Sequence, residues 1–101
     1  MVTANATSST TIVVRWNEVE PRQRNGIIEG YKVYYGAVNV PFQYKKVSSN
    51  ATFTTTLTEL RKFTQYSIQV LAYTRIGDGI LSGPPIVVQT LEDGKISRFS
   101  T

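Results

Sequence analysis

Few residues in this chain are equipped for covalent chemistry, and those that stand out are acceptors. Asn5-Ala6-Thr7 and Asn50-Ala51-Thr52 both fit the N-glycosylation acceptor pattern, which needs an asparagine and a hydroxyl residue at fixed spacing. The chain is rich in Ser and Thr, so the same spacing also describes ordinary polar turn or strand-end asparagines. Catalytic chemistry has little to work with. The 101 residues contain no cysteine and no histidine, which removes thiol nucleophiles, thiolate and imidazole metal ligands, and histidine proton transfer together. Glu18 and Glu20 form a loop pair with no acid or base partner implied, and no metal or cofactor is expected. Arg75-Ile76-Gly77-Asp78 is not an integrin-binding Arg-Gly-Asp, because Ile76 separates the first two members. Gly77 and Gly79 are expected to supply positive φ in a turn. A phosphate cradle there is also not supported, since no Lys follows and the turn leads into a strand rather than a helix.

Charge narrows the partners further. The net charge is +4, but the eleven basic residues are scattered and form no run of the kind that binds nucleic acid. Lys32, Lys45 and Lys46 extend a candidate basic stripe, with Arg22 and Arg24 in a nearby loop. Sulfated glycosaminoglycan is the polyanion such a stripe would take, and a solvated lysine face is the plainer reading. No apolar stretch approaches the roughly 20 residues of a membrane span. Met1 is followed by Val2-Thr3-Ala4-Asn5 rather than by a basic and then apolar leader, so the chain is expected to be an excerpt if its parent is exported.

The elements that would position these residues read as strands. With 41% hydrophobic and 18% charged residues, the chain is sized for one core, held by packing alone because disulfides are absent. Ile12, Val14 and Trp16 alternate on the first clear strand, and Tyr31, Val33 and Tyr35 on the next. Asn17 to Gly26 reads as a loop. Phe42 to Val47 reads as an edge strand that Pro41 and the adjoining lysines protect from further pairing. Phe53, Thr55 and Leu57 alternate next, followed by Tyr66, Ile68, Val70 and Ala72, and finally by Ile86, Val88 and Thr90. No helical spacing persists, so the class is all-β with two packed antiparallel sheets. On the faces away from the core, Tyr34, Leu71, Tyr73 and Val87 are expected to come together as a candidate protein contact, with plain cross-strand stacking as the alternative.

Leu60-Arg61-Lys62-Phe63-Thr64-Gln65-Tyr66 resembles the tyrosine corner of fibronectin type III domains. Trp16, the run Gly30 to Tyr35, and the turn from Ala72 to Ser82 match the rest of that family's pattern in order. The resemblance implies a seven-stranded antiparallel β-sandwich of immunoglobulin-like fold over residues 1–92, with residues 93–101 as linker or tail. It makes Trp16, Tyr31, Val33, Leu60, Tyr66 and Val70 structural, and has the Tyr66 hydroxyl serve backbone carbonyls at the corner. Lys62 and Phe63 depart from the family's usual Pro and Gly there. Asn25 to Tyr31 and Val70 to Gly79 look like tandem repeats of neural cell-adhesion receptors of the Dscam and sidekick type, and equally like those of receptor protein tyrosine phosphatases of the LAR type. Such parents imply a non-catalytic binding or spacer module in the extracellular part of a single-pass plasma-membrane protein. Its partners would be neighbouring domains and other receptor proteins, with the isolated domain monomeric. The alternative is an intracellular structural repeat of a filament-associated protein.

Overall fold

A computed structural model describes residues 2–17, 27–37, 40–79 and 84–92. They form β1 (Val2–Ala6), β2 (Ile12–Trp16), β3 (Ile28–Ala37), β4 (Val40–Val47), β5 (Thr54–Leu57), β6 (Gln65–Thr74) and β7 (Ile86–Gln89). The strands make a three-stranded sheet in the order β1-β2-β5 and a four-stranded sheet in the order β4-β3-β6-β7, every pairing antiparallel. Glu18, Glu20, Arg22 and Arg24, and the tail at 93–101, lie outside the described residues.

Alternation fixes which side of each strand meets the core. Ile12, Val14 and Trp16 on β2 face Tyr31 and Val33 on β3 and Ile68, Val70 and Ala72 on β6, with Ile28, Leu57, Leu60 and Tyr66 completing the cluster. Trp16 is 5% exposed, its ring centroid 5.4 Å from that of Tyr31, which in turn lies 5.8 Å from Phe53. Each large aliphatic or aromatic side chain buried this way contributes about 1.5–3 kcal/mol, which explains how packing alone can hold the fold. β1 precedes the first strand expected from the pattern. Its inward face is Val2, Ala4 and Ala6, and only the first is large enough to register as apolar alternation.

The chain crosses from the smaller sheet to the larger between Leu57 and Gln65. Tyr66 is 2% exposed, and its hydroxyl accepts the Arg61 N–H at 2.8 Å. The hydroxyl was expected to donate to corner carbonyls, but that task falls to Thr90. Its Oγ1 donates to the Arg61 carbonyl at 2.7 Å and accepts the Thr64 N–H at 2.8 Å. Thr90 is 1% exposed, so these bonds are shielded from water. Backbone bonds from Phe63 N–H to the Leu91 carbonyl (3.0 Å) and from Leu60 N–H to the Thr10 carbonyl (3.0 Å) tie the crossing to both neighbours.

Phe63 occupies the crossing at φ 47°, in the left-handed region. That conformation costs an L-residue about 1–2 kcal/mol, whereas glycine's extra chain freedom costs about 0.5–1 kcal/mol. Because Phe63 is 60% exposed, replacing it loses little burial. Phe63→Gly is therefore expected to raise thermal stability by about 0.5–1 kcal/mol. Thr90→Val, which strands two backbone groups, should lower it by about 1–3 kcal/mol. Melting curves showing the opposite order would contradict the corner described here.

Candidate functional site

The two outer faces of the sandwich differ in chemistry. On the smaller sheet the register aligns Asn5, Val13 and Thr56 in one outward row and Thr3, Arg15 and Thr54 in the next, mostly small and polar. On the larger sheet the rows are Tyr44, Tyr34 and Gln69, then Lys46, Lys32 and Leu71, then Gly30 and Tyr73. Phe42 lies over Gly36, where a Cβ would collide with its ring, and Gly36 aligns with Ser67 and then Val87. The result is an aromatic ladder on the outside of the sheet. Tyr34 stacks on Phe42 with ring centroids 6.2 Å apart and leans against Tyr44 at 5.1 Å. Phe42 and Tyr44 remain about half exposed or more, at 56% and 50%.

Cations thread through this ladder. The Lys32 ammonium reaches Asp78 Oδ1 at 2.9 Å while lying 5.1 Å from the Tyr44 ring centroid and 5.8 Å from that of Tyr73. The Lys46 ammonium also lies 5.0 Å from the Tyr73 ring centroid. A hydrogen bond to Asp78 raises the Lys32 pKa, so its charge persists to higher pH than usual, with desolvation opposing the effect. Gly30 makes the arrangement possible. A Cβ there would fall 2.6 Å from the Tyr73 hydroxyl oxygen and would also strike the Val47 carbonyl, so any side chain would displace the phenol.

Two expected groupings do not form. Leu71, expected in the exposed contact, is only 6% exposed. Asp78, the ion-pair partner of Lys32, bridges to Tyr73 of β6 in the neighbouring row. Tyr34 and Tyr73 are half-buried, whereas Val87 is 59% exposed at the far edge of the face. The lysine stripe also splits. Lys32 and Lys46 share the outer face, but Lys45 points the other way and donates from Nζ to the Thr56 carbonyl of β5 at 2.8 Å. There it clips the edges of the two sheets together.

The turn after β6 also differs from expectation. Gly77 has φ 157°, but Gly79 lacks a positive φ, and a Cβ there would come within 2.9 Å of the Ala72 carbonyl. The glycine at 79 thus serves close backbone approach, its N–H donating to that carbonyl at 2.7 Å. Arg75 is an exposed residue with Glu29 3.8 Å away. Among the described residues no cluster of acidic side chains suits a metal ion.

A seven-stranded sandwich closed by a buried tyrosine at the crossing defines an immunoglobulin-like β-sandwich domain. The sequence profile of the "Fibronectin type III domain" matches residues 1–89, and the chain belongs to that family. It is 62% identical over 94 residues to Protein sidekick of Drosophila melanogaster, covering 91% of this chain and 4% of that protein. It is 39% identical over 95 residues to Cell adhesion molecule DSCAML1 of Mus musculus, again covering 91% of this chain and 4% of the relative. The crystal structure of the FN5 domain of Drosophila Lar superposes with a TM-score of 0.70 at 32% identity, covering 94% of each chain.

With Lys45 turned away and Lys32 neutralised by Asp78, Lys46 is left as the main cation of the lysine group on the outer face. The domain is expected to wash from immobilised heparin by about 0.15 M ionic strength, where surface charges are screened beyond about 8 Å. Retention well above that salt, abolished by Lys46→Ala, would support the polyanion reading.

Proposed function

We propose that this chain is one non-catalytic module in the extracellular part of a cell-surface adhesion receptor, serving to set spacing and to offer the aromatic face of its larger sheet to another protein. The observation that carries this reading is the 62% identity to Protein sidekick across nearly the whole chain, in a stretch that makes up only 4% of that protein. The adhesion role draws support from the likeness to Cell adhesion molecule DSCAML1.

The geometry suits a module in series. β1 starts opposite the end of β2, at Val2↔Trp16, and that pole also holds the start of β3 and the end of β4. β7 ends beside the tyrosine corner at the other pole, where Thr90 and Leu91 bond to the crossing. The described chain therefore enters at one end and leaves at the other. Ten-residue strands such as β3 and β6 separate those ends by about 33 Å at the usual rise per residue. The mixed aromatic and cationic surface of Phe42, Tyr44, Tyr34, Tyr73 and Lys46 has the composition that anchors protein contacts.

Location is directly testable. An epitope inserted in the exposed turn between β4 and β5 of the full-length parent should be stained by antibody on intact, unpermeabilised cells. Staining that appears only after permeabilisation would reject the extracellular placement and favour the filament-associated repeat.

A further inference from the structure

We infer that Asn50 is the carbohydrate attachment site of this domain, and that Asn5 becomes a poor acceptor once the domain has folded. The inference rests on the extracellular reading above, because it requires passage through a compartment holding a lipid-diphosphate-linked oligosaccharide. In the transfer, the Asn50 carboxamide nitrogen forms a bond to the anomeric carbon of the first sugar. The bond from that carbon to the lipid diphosphate breaks, the diphosphate leaves with its electron pair, and the amide gives up one proton. No electrons are gained or lost overall.

The two acceptor sequences are alike in composition and differ in what their backbone and hydroxyl groups are doing. Asn5, the penultimate residue of β1, has an exposed side chain but a paired backbone, since the strand pairs one for one with β2 from Val2↔Trp16 to Ala6↔Ile12. Its threonine is equally engaged. Thr7 donates its N–H to the Thr11 carbonyl at 3.0 Å and shares a hydrogen bond with Thr11 Oγ1 at 2.7 Å, and Ser8 Oγ joins the same hydroxyl at 2.6 Å. Presenting Asn5 and Thr7 to a transferase would mean peeling an edge strand whose inner side packs against the core.

Asn50 and Ala51 belong to a turn between β4 and β5 and pair with no strand. Asn50 is exposed at its tip. Among the described residues, the side-chain bonds that hold this acceptor sequence both end on Ser49 Oγ, from Ala51 N–H at 3.2 Å and from the Thr52 hydroxyl at 3.0 Å. Both are local, and freeing them disturbs no sheet. Such loop tips are where a folded domain tolerates enzymatic access. The turn projects from a pole of the sandwich, so a glycan there need not cover the exposed Phe42 and Tyr44 rings.

The test is expression of the chain behind a cleavable secretion leader in a eukaryotic cell, read by intact mass before and after enzymatic release of N-glycans. The wild type and Asn5→Gln should carry the same glycan shift, and Asn50→Gln and Thr52→Ala should carry none. The destabilised Trp16→Ala chain, read in the cell-retained pool, should gain a second glycan that Asn5→Gln removes. An unshifted wild type, a wild type bearing two glycans, a shift that survives Asn50→Gln, or a Trp16→Ala chain with no second glycan would each overturn the inference. Since the leader forces entry into the secretory pathway, these outcomes report on the site, whereas antibody staining of intact cells reports on where the parent resides.

Discussion

The sandwich depends on one crossing, where the chain leaves the smaller sheet after Leu57 and enters the larger at Gln65. A crossing between sheets has no ladder partner, so its amide and carbonyl groups face a nearly dry interior and must be satisfied one by one. Two hydroxyl groups satisfy three of them, beside the backbone bonds made by Leu60 and Phe63. Tyr66 takes the Arg61 N–H, and Thr90 takes the Thr64 N–H and gives its proton to the Arg61 carbonyl. Arg61 is thus held from both its amide and its carbonyl by side chains from two strands of the opposite sheet or its end. That double hold lets Phe63 persist at a backbone angle that glycine usually occupies, because the surrounding bonds over-determine the turn.

A well-fixed frame has consequences on its outside. Strand register sets which side chains share a row, and on the larger sheet it places Tyr44 beside Tyr34 and Lys46 beside Lys32. Like charges opposite one another are unfavourable unless something separates them. Asp78 pairs with Lys32, and the Tyr73 ring lies near both ammonium groups. The side chains of the aromatic face are therefore held by one another, through ring stacking, cation–ring contacts and one ion pair.

Much of this was legible in the residues, and the exceptions have physical causes. Trp16, Tyr31, Val33, Tyr66 and Val70 stand out because large apolar side chains alternate with polar ones, and all are buried. β1 is faint because Ala4 and Ala6 supply its inward side, and a methyl group contrasts weakly with the polar residues between. Alternation puts Thr90 on the same face as Ile86 and Val88, but its role at the corner is invisible locally, since its partners lie 26 and 29 residues away. Leu71 sits in the outward row as period two requires, yet it is only 6% exposed, because burial depends on long neighbouring side chains that a strand pattern does not position. Lys45 is a different matter. It adjoins Lys46 on a strand, so the same period-two rule that identified the strand already places the two ammonium groups on opposite sides.

The placement of Lys45 bears on how such modules remain apart when many share one chain. β4 is an edge of the larger sheet and β5 an edge of the smaller. Open edges invite pairing with a neighbour of the same fold. Lys45 occupies the Thr56 carbonyl that an incoming strand would need on β5, and its own side chain bridges the gap through which that strand would approach. The β4–β5 edge is thereby closed to backbone pairing while the side chains of the faces stay accessible, and this requires only one residue to turn toward the other sheet where its neighbour faces out.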